Sequence, residues 1–156
     1  MNLPAKGTFF SSSPKETMDI GAEIAKHIKK GDVIALEGVL GAGKTCLVKG
    51  IGDFLDINEE IISPTYIIVS EYEAKIEGES LPFYHIDAYR LNGDDDFASI
   101  GGEEYLYGGG IAVVEWSGRI AASLPPNTMT VEIEITGENS RIIHVSGKNI
   151  MENPEL

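Results

Sequence analysis

The sequence predicts an α/β domain of three layers: a mixed, mainly parallel central sheet with helices on its faces and a β-hairpin at the C-terminal end. Three observations lead there. Val33-Ile34-Ala35-Leu36 and Ile111-Ala112-Val113-Val114 are short apolar runs with the length and branched side chains of strands buried on both faces. Helical patterns stand around them, most plainly where Ile20, Ile24 and Ile28 recur with Ala25. Farther on, Met129, Val131, Ile133 and Ile135 alternate with Thr130, Glu132, Glu134 and Thr136, the period of a strand with one face buried. At 156 residues the chain has the length of one domain, and no repeat, low-complexity tract or linker divides it.

Taken in order, Thr8-Phe9-Phe10 is a candidate first strand. A helix over 14–30 follows: Ser13 is its N-cap, Pro14 its first residue and Glu16 the third-position acid of a capping box, with Gly31 as stop signal. Asp32 to Glu37 is the next strand, and a second helix runs from Gly43 to about Leu55. Ser63-Pro64-Thr65 punctuates the chain ahead of a strand at 66–69. The polar stretch Glu73 to Ser80 is expected to be a turn leading into a strand that ends Phe83-Tyr84-His85-Ile86. Phe97 to Tyr107 makes a short helix, ended by Gly108-Gly109-Gly110. Strand 111–114 and the hairpin of 129–136 with 142–145 complete the domain, and the tail from Lys148 to Leu156 has little to bury and is expected to be mobile.

Between the second strand and the second helix lies Gly38-Val39-Leu40-Gly41-Ala42-Gly43-Lys44-Thr45, a complete G-x-x-x-x-G-K-[ST] phosphate loop in the strand–loop–helix context it requires. The predicted architecture is therefore P-loop NTPase-like. Gly38, Gly41 and Gly43 let the backbone bend so that its N–H groups, those of Ala42 and Cys46 included, face phosphate oxygens at a helix N-terminus. Lys44 is placed to reach the β- and γ-phosphates and Thr45 to offer its hydroxyl to Mg²⁺. Binding of a nucleoside triphosphate is the direct consequence.

Hydrolysis or transfer needs in addition a carboxylate near Mg²⁺ and a group that orients the nucleophile. Two carboxylates follow apolar strands, Asp87 and Glu115, and their spacing does not say which binds the metal. Arg90 and Arg119 follow these by three and four residues; with no other basic residues near, ion pairing within the fold is their favoured role over phosphate contact. Trp116, the only tryptophan, has core packing as its ordinary role and stacking at the nucleotide as the sharper one. His27, His85 and His144 lie on separate elements without metal-ligand spacing, so no metal other than Mg²⁺ is expected. Cys46, in the first turn after the loop, is expected to be a small packing residue, although a helix N-terminus also lowers a thiol pKa.

Composition narrows the partners. The chain carries 25 acidic and 12 basic residues, a net charge of −13, which repels nucleic acid instead of attracting it. Any nucleic acid involved is then expected to be held by another protein. No apolar stretch approaches twenty residues, and the beginning, M-N-L-P-A-K-G-T, lacks the apolar core of a secretory signal, so a cytoplasmic location without membrane association is expected. A single cysteine excludes an intrachain disulfide.

Four segments together, L-E-G-V-L-G-A-G-K-T at 36–45, S-P-T-Y at 63–66, H-I-D-A-Y-R at 85–90 and V-E-W-S-G-R at 114–119, resemble the TsaE (YjeE) family of small bacterial P-loop ATPases in order and separation. The resemblance runs from about Thr8 to Gly147. It implies a part in making threonylcarbamoyladenosine beside the anticodon of tRNAs that read ANN codons. It also implies an ATP-binding protein that joins a TsaD–TsaB heterodimer, whose slow hydrolysis resets the complex while the partners hold tRNA. By the same resemblance Thr65 becomes a candidate γ-phosphate sensor, Asp87 and Glu115 match the family's acidic site residues, and Trp116 matches its tryptophan. Val39 and Cys46 depart from the aspartate and second threonine common there, and neither departure removes a group with an assigned role.

Two other function classes compete. A small-molecule or nucleotide kinase needs several basic residues on its acceptor site and lid, and the chain has only three arginines, Arg90, Arg119 and Arg141. A binding module that docks according to its nucleotide, without useful turnover, differs from an ATPase in rate alone; the presence of both Asp87 and Glu115 argues against it.

Overall fold

A computed structural model describes residues 7–39, 41–62 and 68–147. Seven strands form one mixed sheet in the order β1-β7-β6-β2-β5-β4-β3. The centre is parallel: β2 (Val33–Glu37) lies between β5 (Ile111–Glu115) and β6 (Met129–Ile135), and β5 also pairs in parallel with β4 (Glu79–Asp87). Antiparallel partners close each side, β3 (Val69–Ile76) on β4, and β7 (Arg141–Ser146) between β6 and β1 (Gly7–Ser11). The six pairings thus divide evenly between parallel and antiparallel, with the parallel ones gathered where the phosphate loop leaves the sheet.

Alternation along the central strands builds the two covering layers. Ile34, Leu36, Ile111 and Val113 join the core under α1 (Pro14–Ala25) and α2 (Lys44–Phe54). Val33, Ala112 and Val114 face the other way, onto Phe97 of α3 (Asp94–Ser99), Leu106 of α4 (Gly102–Tyr107) and Ile120 of a 3₁₀ segment, Ser117–Ser123. Every residue of β5 is buried, as a strand covered on both faces must be. The helices α1 and α2 touch through glycine: a Cβ on Gly21 would overlap the Leu47 carbonyl oxygen, and one on Gly50 the Met18 carbonyl oxygen.

The start of α1 follows its signals. Ser13 Oγ accepts the Glu16 N–H at 3.1 Å, while the Glu16 carboxylate reaches past the cap and takes the Ser12 N–H at 2.8 Å. Its end does not: the predicted helix 14–30 stops at Ala25. His27 and Ile28 donate to carbonyls three residues back, and Lys29 N–H is captured by the Asp32 carboxylate at 2.7 Å. That tighter turn still buries Ile28 while releasing the chain toward β2.

Two further expectations give way. The polar stretch 73–80 is no turn; apart from Glu77 and Gly78 it belongs to β3 and β4. Tyr72 and Ala74 point into the core while Glu71, Glu73 and Lys75 face solvent, and such a charged outer face suits an edge strand. Glu77 and Gly78 both have positive φ, 51° and 83°, as a two-residue type I′ hairpin requires. The helix over 97–107 is instead two, α3 and α4, broken at Gly101 with φ 73°. Residues 66–67 of the predicted strand 66–69, and the tail 148–156, lie outside the described residues.

Candidate active site

The phosphate loop leaves the carboxyl end of β2 and enters α2. Gly43, the N-cap, takes φ 105°, a left-handed conformation that costs glycine nothing. Gly38 is needed for space, since a Cβ there would come 3.1 Å from the Ile133 carbonyl oxygen on β6. Ala42 is fully buried and its N–H donates to the Val39 carbonyl at 3.0 Å.

Parallel register brings the carboxylates to the loop. On neighbouring strands Asp87 is paired with Glu115, and Glu115 with Leu36. Three strand ends therefore emerge at one level, the place where open α/β sheets bind ligands. A cavity of about 600 Å³ opens there, lined by Gly41, Gly43, Lys44, Thr45, Cys46, Asp87, Tyr89, Arg90, Glu115 and Trp116. Gly38 and Ala42 are absent from that lining and support the loop from behind. Ala42 instead borders a cavity of about 190 Å³ on the hairpin side, with Ser13, Thr17, Asn139 and Arg141. Thr65 lies outside the described residues.

Charge at the floor of the main cavity is buried and shared. Lys44 Nζ lies 3.6 Å from Glu115 Oε1, and both side chains are almost inaccessible. The other carboxylate oxygen is 2.5 Å from His85 Nε2, whose ring is completely buried and whose Nδ1 finds no hydrogen-bond partner among the described residues. Burial pushes the Glu115 carboxyl up, but the hydrogen bond and charge of His85 and the attraction of Lys44 together outweigh it and hold the group below its ordinary value. Asp87 is half-exposed, and its Oδ1 accepts the Tyr89 N–H at 2.9 Å in an Asx turn.

Trp116 forms the wall. Its backbone is left-handed, φ 57° and ψ 39°, a rare state for a bulky side chain and one that gathers at functional sites. The ring centroid stands 4.6 Å from Lys44 Nζ and 4.9 Å from the Tyr89 ring, and the Arg119 guanidinium carbon lies 5.1 Å beyond Tyr89. Lysine, two rings tilted at 58° and arginine thus follow one another in contact. Beside them Ser117 Oγ donates to Glu37 Oε1 at 2.6 Å, tying the 3₁₀ segment to the end of β2.

Sequence reasoning overlooked His85, Tyr89 and Arg141. His85 was legible in principle: it stands two residues before Asp87 on a strand, hence on the same face. Tyr89 lay within the H-I-D-A-Y-R segment but had no role assigned to it, and the Arg141 contacts with the loop span 99 and 100 residues.

The chain is similar in sequence and fold to known proteins. The family model described as "Threonylcarbamoyl adenosine biosynthesis protein TsaE" matches residues 11–143. A "tRNA threonylcarbamoyladenosine biosynthesis protein TsaE" of Treponema pallidum is 39% identical over 136 residues, covering 87% of this chain and 97% of the relative. The Bacillus subtilis protein of the same description is 39% identical over 131 residues, covering 84% and 79%. Among solved structures, YdiB of Bacillus subtilis superposes with a TM-score of 0.73 at 33% identity, covering 96% of this chain and 90% of that one.

Proposed function

The chain belongs to the TsaE family, and from that premise we propose that it is the ATP-binding and hydrolysing component of the machinery that makes threonylcarbamoyladenosine on tRNA, acting with a TsaD–TsaB heterodimer in the cytoplasm. One observation carries the ATPase part: the loop lysine, Thr45 and the two strand-end carboxylates meet in a single cavity of about 600 Å³, a volume suited to a nucleotide. Lys44 and the loop N–H groups neutralise and orient the phosphates, and Asp87 or Glu115 orients the attacking water. Among the described residues no three His, Cys, Asp or Glu side chains gather as a metal cage. A hard cation is then best served by the Thr45 hydroxyl, one of the two carboxylates and phosphate oxygens, a donor set that fits Mg²⁺. When bound, Mg²⁺ supplies charge neutralisation on the phosphates.

Slow turnover in isolation follows from the engaged state of Glu115. One of its oxygens faces Lys44 and the other His85, so productive use requires the pair to be rearranged. Kinase chemistry is poorly served, because Arg141 is spent on backbone carbonyls and Arg119 on Tyr89, which leaves Arg90 as the arginine of the cavity lining. The net charge of −13 is compatible with tRNA being held by the partners. The test is ATP hydrolysis by the purified protein alone and with its cognate TsaD–TsaB pair, with association followed in the same samples. Nucleotide-dependent association with stimulated turnover is the expected result; ATP binding without association would return the stand-alone switch and kinase readings.

A further inference from the structure

Arg141 opens β7, far from the phosphate loop in sequence, yet its guanidinium is directed at the loop backbone. Nε donates to the Ala42 carbonyl at 2.8 Å, and Nη2 approaches the Gly41 carbonyl at 3.4 Å. Nη1 holds the hairpin's own turn through the carbonyls of Ser140 at 2.8 Å, Gly137 at 3.0 Å and Glu138 at 3.3 Å. In a chain so rich in carboxylates, no acidic side chain pairs with Arg141 among the described residues. The cation is committed to five carbonyl oxygens.

Two of those carbonyls, of Gly41 and Ala42, belong to the peptides whose orientation matters for phosphate binding. A trans peptide is planar, with its C=O and N–H on opposite edges. Holding Ala42 O against Arg141 therefore turns the Gly43 N–H away from the hairpin. The neighbouring peptide is held twice, since Ala42 N–H also donates to Val39 O. Gly41 and Gly43 flank this stretch with φ of 82° and 105°, so the backbone alone resists a flip only weakly. A positive charge on the carbonyl edge also polarises the amide and strengthens its N–H as a donor to an anion.

We propose that Arg141 is a positioning residue for the phosphate loop, fastening it to the C-terminal hairpin so that its N–H groups are presented to a polyphosphate. This rests on the reading of the loop as a triphosphate site, and binding of ATP by the parent protein tests that reading separately. The experiment compares parent, Arg141→Gln and Arg141→Lys by calorimetric titration with ATP and with inorganic tripolyphosphate, by thermal unfolding without ligand, and by amide hydrogen exchange at Ala42 and Gly43. Arg141→Gln is expected to lose affinity for both ligands by about tenfold, the scale of one charge-assisted hydrogen bond, with faster exchange at both amides. Arg141→Lys should recover part of the loss. An Arg141 that merely holds the fold would lower the unfolding temperature while the folded protein kept parental affinity and exchange, and that result overturns the proposal. Should Arg141→Gln fail to fold, Arg141→Lys decides: full parental affinity with parental exchange at Ala42 and Gly43 counts against positioning, a partial loss with faster exchange counts for it. A parent that binds neither ligand defeats the reading of the loop itself.

Discussion

Lys44 is held by opposite charge on one side and an aromatic face on the other, so its replacement removes the charge proposed to meet a polyphosphate while leaving the cavity walls standing. Lys44→Ala is expected to abolish ATP binding in a titration with the folded variant; retained affinity would move the site elsewhere. Glu115 bears on both the proposed chemistry and the stability. Glu115→Gln should bind ATP but hydrolyse it at least about tenfold more slowly, whereas normal turnover would pass the catalytic role to Asp87. The stability effect has a definite sign. The folded-state pKa of Glu115 lies below the ordinary 4.5, so its pairing contributes fully above 4.5 and is lost as pH falls through the lowered value, where the unfolded chain binds the extra proton first. Unfolding temperature of the parent should therefore fall across that acid window more steeply than that of Glu115→Gln, and parallel profiles would refute the assignment. His85 joins the same account as the buried donor behind Glu115, although metal spacing gave no reason to notice it.

Among the elements, the contact of α1 with α2 sets the platform for the loop. Both helices use glycine where their backbones meet, Gly21 in one and Gly50 in the other. Gly50→Ala improves helix propensity by about 1 kcal/mol, but the new methyl group meets the Met18 carbonyl and forces two backbones apart. The net expectation is a loss of about 2 kcal/mol or more, read from the urea midpoint; an unchanged or higher midpoint would show that the helices separate freely. Element boundaries were legible where a local interaction decides them. Ser13, Pro14 and Glu16 announced the start of α1 through bonds made within four residues. Its end at Ala25 was missed although Asp32 reaches back only three residues to Lys29, whereas the charged strand β3 depends on the neighbour it pairs with, which no local pattern contains.

At the scale of the molecule, a net charge of −13 bears on association more than on fold. The protein alone should show no measurable binding to tRNA at physiological salt in a mobility-shift assay, and retention of tRNA should appear only with TsaD–TsaB. Tight binding by the isolated chain would contradict the assignment of tRNA to the partners. No helix among the described residues is long and apolar enough to cross a membrane. Two of the few cations are turned inward, Lys44 buried beside Glu115 and Arg141 half-buried on the loop carbonyls.

The division between sequence and structure follows the range of the forces. Local order was enough to determine the phosphate loop, the helix that follows it, the buried strands β2 and β5 and the alternating hairpin, because glycine conformation, capping and side-chain periodicity act over a few residues. That Asp87 and Glu115 end strands was equally plain. Their meeting beside Lys44, the fully buried His85 behind them, the left-handed Trp116 over the lysine and the grip of Arg141 on Gly41 and Ala42 were decided only by tertiary structure. Each depends on sheet register or on contacts between distant segments, and no short window of sequence contains both partners.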